Sequence, residues 1–571
     1  MNLTAGVLAT VLSAAAALGQ SVYPSGAVAA DHVVASRAGA RMLREGGNAV
    51  DAAVAASFAL SVTRPYSCGI GGGGFMVVHL VDDPRHPGSG PVRAAFNYRE
   101  TAPAWVGPDT FVAHPDPIAP ARGGKSVCVP GTVAGLLAAH ERFGLLSRGA
   151  VLAPAIEAAE AGFAVDDHYM TSVREDVLPF FERHADARER FAFVWSRFLR
   201  EGRVEKGDLV RLPEQGGALR LIARDGAAAF YAGPVGDAIV RAANADGARL
   251  TMDDLSRFAA VRAEPIASHY RGLTVLGMPP PSSGGVAVAQ ALEMLERRPE
   301  LLTAAHNSAA YAHMVGEALK HAFADRARWM GDPAFVEVPV AALLDEGYMD
   351  ALAARFDGAR TLASEAYGSS PAGEDAPEDS GTAHVSAVDR WGNAVACTET
   401  VNLIFGSFVT AEPFGFVLND TMDDFTARPG APNEFGLVQS RRNAIEPGKR
   451  ALSSMSPTIV LDGEGRVRVV AGAAGGPRII SSTLQATLNV LRFDMPAGQA
   501  LSAPRFHHQW KPDVLWLERA LGDSPLAEGL RALGHDVRPR GPIGNVQIIR
   551  RAEDGWDAAA DPRKGGLPDG H

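Results

Sequence analysis

Gly381-Thr382-Ala383-His384-Val385-Ser386-Ala387-Val388-Asp389 is the stretch on which the reading of this chain turns. It follows a polar segment rich in Pro, Gly, Asp and Glu, from Ser369 to Ser380, and it runs straight into a strand-like pattern. A small residue before a threonine, at a loop-to-strand switch, is what a self-cleaving precursor needs. The Thr382 hydroxyl can attack the Gly381 carbonyl, and the peptide bond passes through an ester that hydrolyses. The new chain begins with Thr382, whose free α-amine can act as base for its own hydroxyl. Such an amine titrates near ~7.7–8.0, so a neutral fraction is available near neutral pH. Taken alone, Thr382 is more simply a residue that begins a strand. Its company overturns that simpler reading.

The company is a set of motifs in fixed order. Upstream stand Glu45-Gly46-Gly47-Asn48-Ala49-Val50-Asp51, Gly69-Ile70-Gly71-Gly72-Gly73-Gly74-Phe75, Arg99-Glu100-Thr101-Ala102-Pro103 and Pro279-Pro280-Pro281-Ser282-Ser283-Gly284-Gly285. Downstream stand Thr400-Val401-Asn402, Phe405-Gly406-Ser407, Met422-Asp423-Asp424-Phe425, Leu452-Ser453-Ser454-Met455, Gly475-Gly476 before Arg478, and Asp561-Pro562-Arg563. From about Ser25 to Arg563 the chain closely resembles the γ-glutamyltransferase (γ-glutamyltranspeptidase) family of N-terminal-nucleophile hydrolases. The resemblance implies an α/β (α+β) fold, a four-layer αββα sandwich. It also implies self-cleavage into a large subunit, residues 21–381 after a leader at 1–20, and a small subunit, residues 382–571. Neither would hold the whole core, so the two should remain associated as a heterodimer.

Bulk properties agree with a large globular enzyme. The chain has 571 residues, 47% hydrophobic and 21% charged, enough to bury a sizeable core. A net charge of −11 argues against nucleic acid and offers no basic face to anionic membranes. Cys68, Cys128 and Cys397 are odd in number and lack CxxC spacing, which supports neither a disulfide framework nor a zinc site. They read as buried small hydrophobes. Leu3 to Leu18 fits either a secretory apolar segment without a preceding Lys or Arg, or an ordinary N-terminal helix. The first alternative makes the protein periplasmic or secreted, the second cytoplasmic. No later stretch is long and apolar enough to span a bilayer.

Periodicity places the motifs on elements. Val33-Val34-Ala35 reads as a strand entering a helix from Arg37 to Glu45, which Gly46 and Gly47 stop. Asn48 caps the next helix, with Asp51 in its first turn. A long helix is expected from Ala309 to Met330. Ser364 to Gly381 reads as an exposed loop. Beyond it, His384 to Asp389 and Ala394 to Thr400 form one hairpin, and Thr458 to Leu461 with Arg466 to Ala471 form another. Gly69 to Gly74 fits a dinucleotide-binding string, but a helix precedes it and a strand follows, the reverse of that motif's order. It reads as close backbone packing. His507-His508 lacks further ligands at metal-site spacing.

An acyl-transfer enzyme needs a nucleophile, a base, an oxyanion hole and grips for its substrate. Thr382 supplies the first two after cleavage at Gly381. Gly475 and Gly476 are the oxyanion-hole candidates, because only side-chain-free backbone lets N–H groups approach a developing O⁻. The resemblance assigns Thr400 to orienting the nucleophile. It assigns Arg99, Ser453 and Ser454 to the α-carboxylate of a γ-glutamyl group, which a guanidinium fork and hydroxyls suit. It assigns Asn402 and Asp424 to the α-ammonium. No cofactor or metal is called for. Each also has a plainer reading: Thr400 as a β-branched strand residue, Arg99 paired with Glu100, Asp424 in a turn.

Two positions depart from the family pattern. Thr421 stands where a longer Gln or Glu is usual, which weakens one ammonium contact and opens substrate choice. Phe435 stands where some bacterial members place Tyr in a lid, here Pro429 to Lys449. The reading is therefore a glutathione hydrolase and γ-glutamyl transferase. A cephalosporin or glutaryl acylase or a poly-γ-glutamate hydrolase of the same fold is the near alternative. An uncleaved, silent amino-acid- or peptide-binding protein is the alternative from another class.

Overall fold

The computed structural model describes residues 21–368 and 381–571. The expected leader at 1–20 and residues 369–380 of the expected loop lie outside the described residues. Two antiparallel seven-stranded sheets dominate. One runs in the order Asp569–Gly570, Ala27–Ala30, Gly381–Val388, Ala394–Asn402, Gly73–Leu80, Val92–Tyr98, Val261–Ala263. The other runs Ser21–Tyr23, Gly555–Ala560, Asn545–Ala552, Val467–Ala474, Thr458–Leu461, Leu273–Gly277, Ile266–Tyr270.

Strand alternation explains the layering. Met76, Val78 and Leu80 face one core, with helices Val33–Arg44, Ala49–Thr63 and Thr132–Phe143. Phe75 and Val77, between them in sequence, face the other core. There they meet Val469 and Ala471 of the second sheet, and the same core continues to helices Gly284–Glu296, Ala309–Trp329 and Arg478–Phe493. Helix, sheet, sheet, helix is the αββα sandwich expected. The central strands are covered on both faces, and Gly381–Val388 and Ala394–Asn402 are buried at every position.

Helix Ala49–Thr63 is capped as expected: the Asn48 side chain accepts from the Val50 and Asp51 amides at 2.9 and 3.1 Å, and Asp51 answers the Asn48 amide. Every residue of this helix is buried. Its alanines let helix Val33–Arg44 cross closely, where a Cβ on Gly39 would meet the Ala52 carbonyl at 2.8 Å. One boundary differs from expectation. The strand lies at Ala27–Ala30, and Val33 already begins the helix, because the His32 ring caps it by accepting the Val34 amide at 3.2 Å. β-branched residues are tolerated there, since no preceding turn crowds them. The helix at Ala309–Trp329 and both hairpins form as read. All three cysteines are buried and unpaired.

Candidate active site

The two strands of the central hairpin carry the reactive pair. Thr382 lies opposite Thr400, but Gly381 lies opposite Asn402, so Val401 is an extra residue and the ladder bulges at the Gly381–Thr382 bond. Bulges re-aim side chains. Here the bulge brings the Thr382 and Thr400 hydroxyls to 3.1 Å. The Thr400 hydroxyl also donates to the Gly381 carbonyl and accepts the Asn402 amide at 2.8 Å. Asn402 sits at φ +82°, a left-handed conformation that Asn tolerates better than most residues. Gly72 underlies this arrangement: a Cβ on it would lie 2.0 Å from the Thr400 carbonyl. The glycine string is close backbone packing, as its order implied.

One small cavity of about 30 Å³ gathers Arg99, Thr382, Thr400, Asn402, Asp424, Ser453, Ser454 and Gly476. Eight of the residues singled out from sequence thus meet around one space. Gly475 lies one residue back, against Gly544, and Gly381 lies at the bulge. Gly475 and Gly476 have φ of +128° and +57° and precede helix Arg478–Phe493. The helix N-terminus adds positive potential where the two amides turn. Phe435 closes the cavity: a Cβ on Gly476 would approach its ring to 2.9 Å. The remaining space suits about one water.

Charges in the cavity are arranged as opposed pairs. Arg99, 1% exposed, donates to Glu100 at 3.1 Å and to the Asp424 carboxylate. Burial works against its charge, but Glu100 and Asp424 outweigh that and hold the guanidinium above its usual range. Burial raises Asp424 and Glu100, with Arg99 opposing in each case. Asp423 is raised further, by burial and by the neighbouring Glu434 and Asp424 charges. Asp424 is also held by its backbone, whose carbonyl accepts from Gln439 and Asn443 at 3.0 and 2.6 Å. The plain reading of Arg99 as a Glu100 partner is therefore correct, and Arg99 also lines the cavity. Thr421 does not face the cavity: it is fully buried and donates to Glu100 at 3.0 Å.

Two residues escaped the sequence reading. Arg326 lines the cavity from helix Ala309–Trp329. Lys564 is fully buried, donates to the Thr382 carbonyl at 2.5 Å and pairs with Asp31 at 2.8 Å. Arg64 fixes that pair from behind by donating to the carbonyls of Asp31 and Lys564, both at its Nη2, at 2.9 and 2.8 Å. Lys564 directly follows the quoted Asp561-Pro562-Arg563, a proximity that sequence alone left unread. His507 and His508 are used by Ser481 and Gln509, and by Asp513 and the Trp510 amide. The described residues do hold one group with metal-ligand donors, His313, Glu317 and His535. Its atoms already serve each other: His313 and His535 share a hydrogen bond at 2.7 Å, and Glu317 accepts from Thr361 and Tyr367.

A threonine at the bulged start of a central strand, inside an αββα sandwich, is the arrangement of an N-terminal-nucleophile hydrolase fold. The Gamma-glutamyltranspeptidase family model matches residues 35–570, and the chain belongs to that family. It is 38% identical over 547 residues to the Glutathione hydrolase proenzyme of Escherichia coli (strain K12), across 94% of this chain and 90% of that one. It is 36% identical to the Acylase ACY 1 proenzyme of Pseudomonas sp. (strain V22), across 95% and 93%. Among solved structures, the cephalosporin acylase from Bacillus halodurans superposes with a TM-score of 0.81 at 24% identity, covering 97% of both chains, a likeness of fold. The chain is an enzyme of hydrolase and transferase type. No helix among the described residues is long and apolar enough to cross a membrane.

Proposed function

We propose that this chain cleaves itself before Thr382 and then moves γ-glutamyl groups, from glutathione or related amides, to water or amino acids. The observation that carries the reading is the Arg99–Asp424 ion pair in a cavity that also holds Thr382. A γ-glutamyl group ends in one carboxylate and one ammonium on a single carbon. It can replace the pair with no net charge change, its carboxylate on Arg99 and its ammonium on Asp424.

Self-cleavage follows from the hairpin. As Thr382 Oγ bonds to the Gly381 carbon, its proton passes to Thr400 Oγ, and the Thr400 proton passes to the Gly381 oxygen. Collapse passes that hydroxyl proton to the Thr382 nitrogen, which leaves as an amine, and an ester remains, which water hydrolyses. In turnover the freed amine takes the Thr382 hydroxyl proton, and the hydroxyl attacks the γ-carbonyl. The Gly475 and Gly476 amides receive the oxyanion, the amine product leaves protonated, and water or an acceptor amine takes the acyl group. Asn402 adds an acceptor for the ammonium, and Ser453 and Ser454 add donors for the carboxylate.

The same reading makes residues 21–381 and 382–571 the two subunits of a heterodimer, and gives residues 1–20 the part of an export leader to the periplasm or exterior. A glutaryl-acylase activity is the second reading, favoured by Thr421 being engaged with Glu100 instead of facing the cavity. Intact-mass analysis together with γ-glutamyl and glutaryl anilide assays tests both. A fragment beginning at Thr382 and preference for the γ-glutamyl donor support the proposal. A stable uncleaved chain, or preference for the glutaryl donor, overturns it.

A further inference from the structure

The Pro279-Pro280-Pro281-Ser282-Ser283-Gly284-Gly285 motif has no part in the chemistry above, yet it lies against the carboxylate grip. Ser283 donates to the Ser453 carbonyl twice, from its amide at 2.8 Å and from its hydroxyl at 2.7 Å. Ser453 returns its own amide to the Pro281 carbonyl at 2.9 Å, and the Ser282 hydroxyl donates to the Met455 carbonyl. Gly284 permits this closeness: a Cβ there would lie 2.2 Å from Ser456 Oγ. The motif thus clamps the segment that presents Ser453 and Ser454.

The same Ser283 hydroxyl accepts from Arg326 Nε at 3.0 Å. Arg326 is 3% exposed and lines the cavity with Thr382, Arg99 and Asp424. Burial lowers its pKa to about 10, and Asp424 is the charge that opposes the shift. Among the described residues no carboxylate makes an ion pair with it. A buried guanidinium held by one nitrogen, with its fork left for the cavity, calls for an anion. The protein's own carboxylates do not supply one once substrate is bound. The donor's ammonium then occupies Asp424, Arg99 keeps Glu100, and Arg326 loses its opposing charge. The remaining anion in the cavity is the donor's α-carboxylate.

We propose that Arg326, oriented by Ser283, is a second guanidinium on the donor α-carboxylate beside Arg99, Ser453 and Ser454, and sets the preference for acyl groups that carry one. The inference rests on the γ-glutamyl reading and deepens it. Three p-nitroanilide donors separate the two ideas: γ-glutamyl, glutaryl, which lacks the ammonium, and 4-aminobutyryl, which lacks the carboxylate. Arg326→Met should lower kcat/KM for the γ-glutamyl and glutaryl donors by about 10- to 100-fold, mainly through KM, the loss of one charged hydrogen bond. It should leave the 4-aminobutyryl donor within about twofold. Arg326→Lys should recover part of the loss, since it keeps the charge without the fork. Equal losses on all three donors, or no loss on any, overturn the role of Arg326. A wild-type enzyme that prefers 4-aminobutyryl overturns the γ-glutamyl reading and this inference together. Should Arg326→Met fail to mature to the Thr382 fragment, Arg326→Gln, which leaves the Ser283–Ser453 clamp untouched and removes only the charge and the fork, carries the test. A carboxylate-dependent loss of a few-fold supports the role, and a donor-independent loss refutes it.

Discussion

Replacing Asp424 by Asn should change which donor the enzyme prefers. Asp424 is bound to Arg99, so each donor must displace it. A γ-glutamyl group compensates Asp424 with its ammonium. A glutaryl group takes Arg99 and leaves Asp424 charged and buried without its ion-pair partner. Asn is close in shape, and the contacts of Gln439 and Asn443 go to the Asp424 backbone carbonyl, so the loop stays in place. Arg99 keeps its bond to Glu100 at 3.1 Å and is not left unpaired. What is lost is one ammonium–carboxylate hydrogen bond, about 1.5–3 kcal/mol. At 1.4 kcal/mol per tenfold, KM for the γ-glutamyl anilide should rise about 10- to 150-fold. KM for the glutaryl anilide should stay level or fall, because its competitor for Arg99 is gone. Steady-state kinetics on both anilides decides the matter. Equal losses on the two donors would refute the reasoning, as would an unchanged KM for the γ-glutamyl donor.

Other perturbations follow from the same geometry. Thr382→Ala should abolish both self-cleavage and turnover, while Thr382→Ser should keep both, read by fragment mass and anilide release. Thr400→Val removes the hydroxyl on the Gly381 carbonyl and should slow appearance of the Thr382 fragment roughly 10²–10³-fold in a refolding time course. Lys564→Met leaves the Asp31 carboxylate buried without its cation and should cost about 3–5 kcal/mol in denaturant unfolding, as the loss of one partner of a buried pair does. Glu399, beside Tyr98 and Cys397, is raised by burial from 4.5 to about 8, with the Tyr98 and Ser57 hydroxyls opposing. The folded state therefore holds a proton that the unfolded state releases. Stability from this group is full below pH 4.5 and is lost as pH rises toward about 8, by up to about 1.4 kcal/mol per pH unit. Glu399→Gln should flatten that slope in urea titrations across pH.

What the sequence made legible was whatever local chemistry controls. The Asn48 cap and the two hairpins each depend on a few adjacent residues. The candidate site was legible because the motifs around Arg99, Thr400, Asp424 and Ser453-Ser454 carry side chains of the expected type, and those side chains line one cavity. The misreading at Val33 came from β propensity overruled by a cap one residue earlier, a competition that composition does not reveal. Arg326 and Lys564 were missed for another reason. Residues Tyr311 to Arg326 are all buried, charged ones included, so no apolar stripe marks which face meets the site. Lys564 reaches Thr382 across a separation of 182 residues, and no periodicity encodes such a contact.

In the proposed mechanism the two reactions share a nucleophile but would draw on different groups for the oxyanion. Before cleavage the Gly381 carbonyl already lies under the Thr400 hydroxyl, fixed by the bulge at Val401. Gly475 and Gly476 follow strand Val467–Ala474 of the other sheet, and Gly476 lines the cavity. A substrate carbonyl enters that cavity, and the scissile carbonyl belongs to the hairpin itself. Thr400→Val and substitution of Gly476 should therefore separate maturation from turnover. The first delays the fragment while leaving the matured enzyme's kcat reduced less. The second, for which Gly476→Ala suffices because of its φ of +57° and the Phe435 ring, spares the fragment and lowers kcat by about 10²-fold or more. Pulse-labelled maturation and single-turnover acylation measure the two steps independently. If both variants slowed both steps in proportion, one oxyanion site would serve the two reactions and the division argued from the bulge would fall.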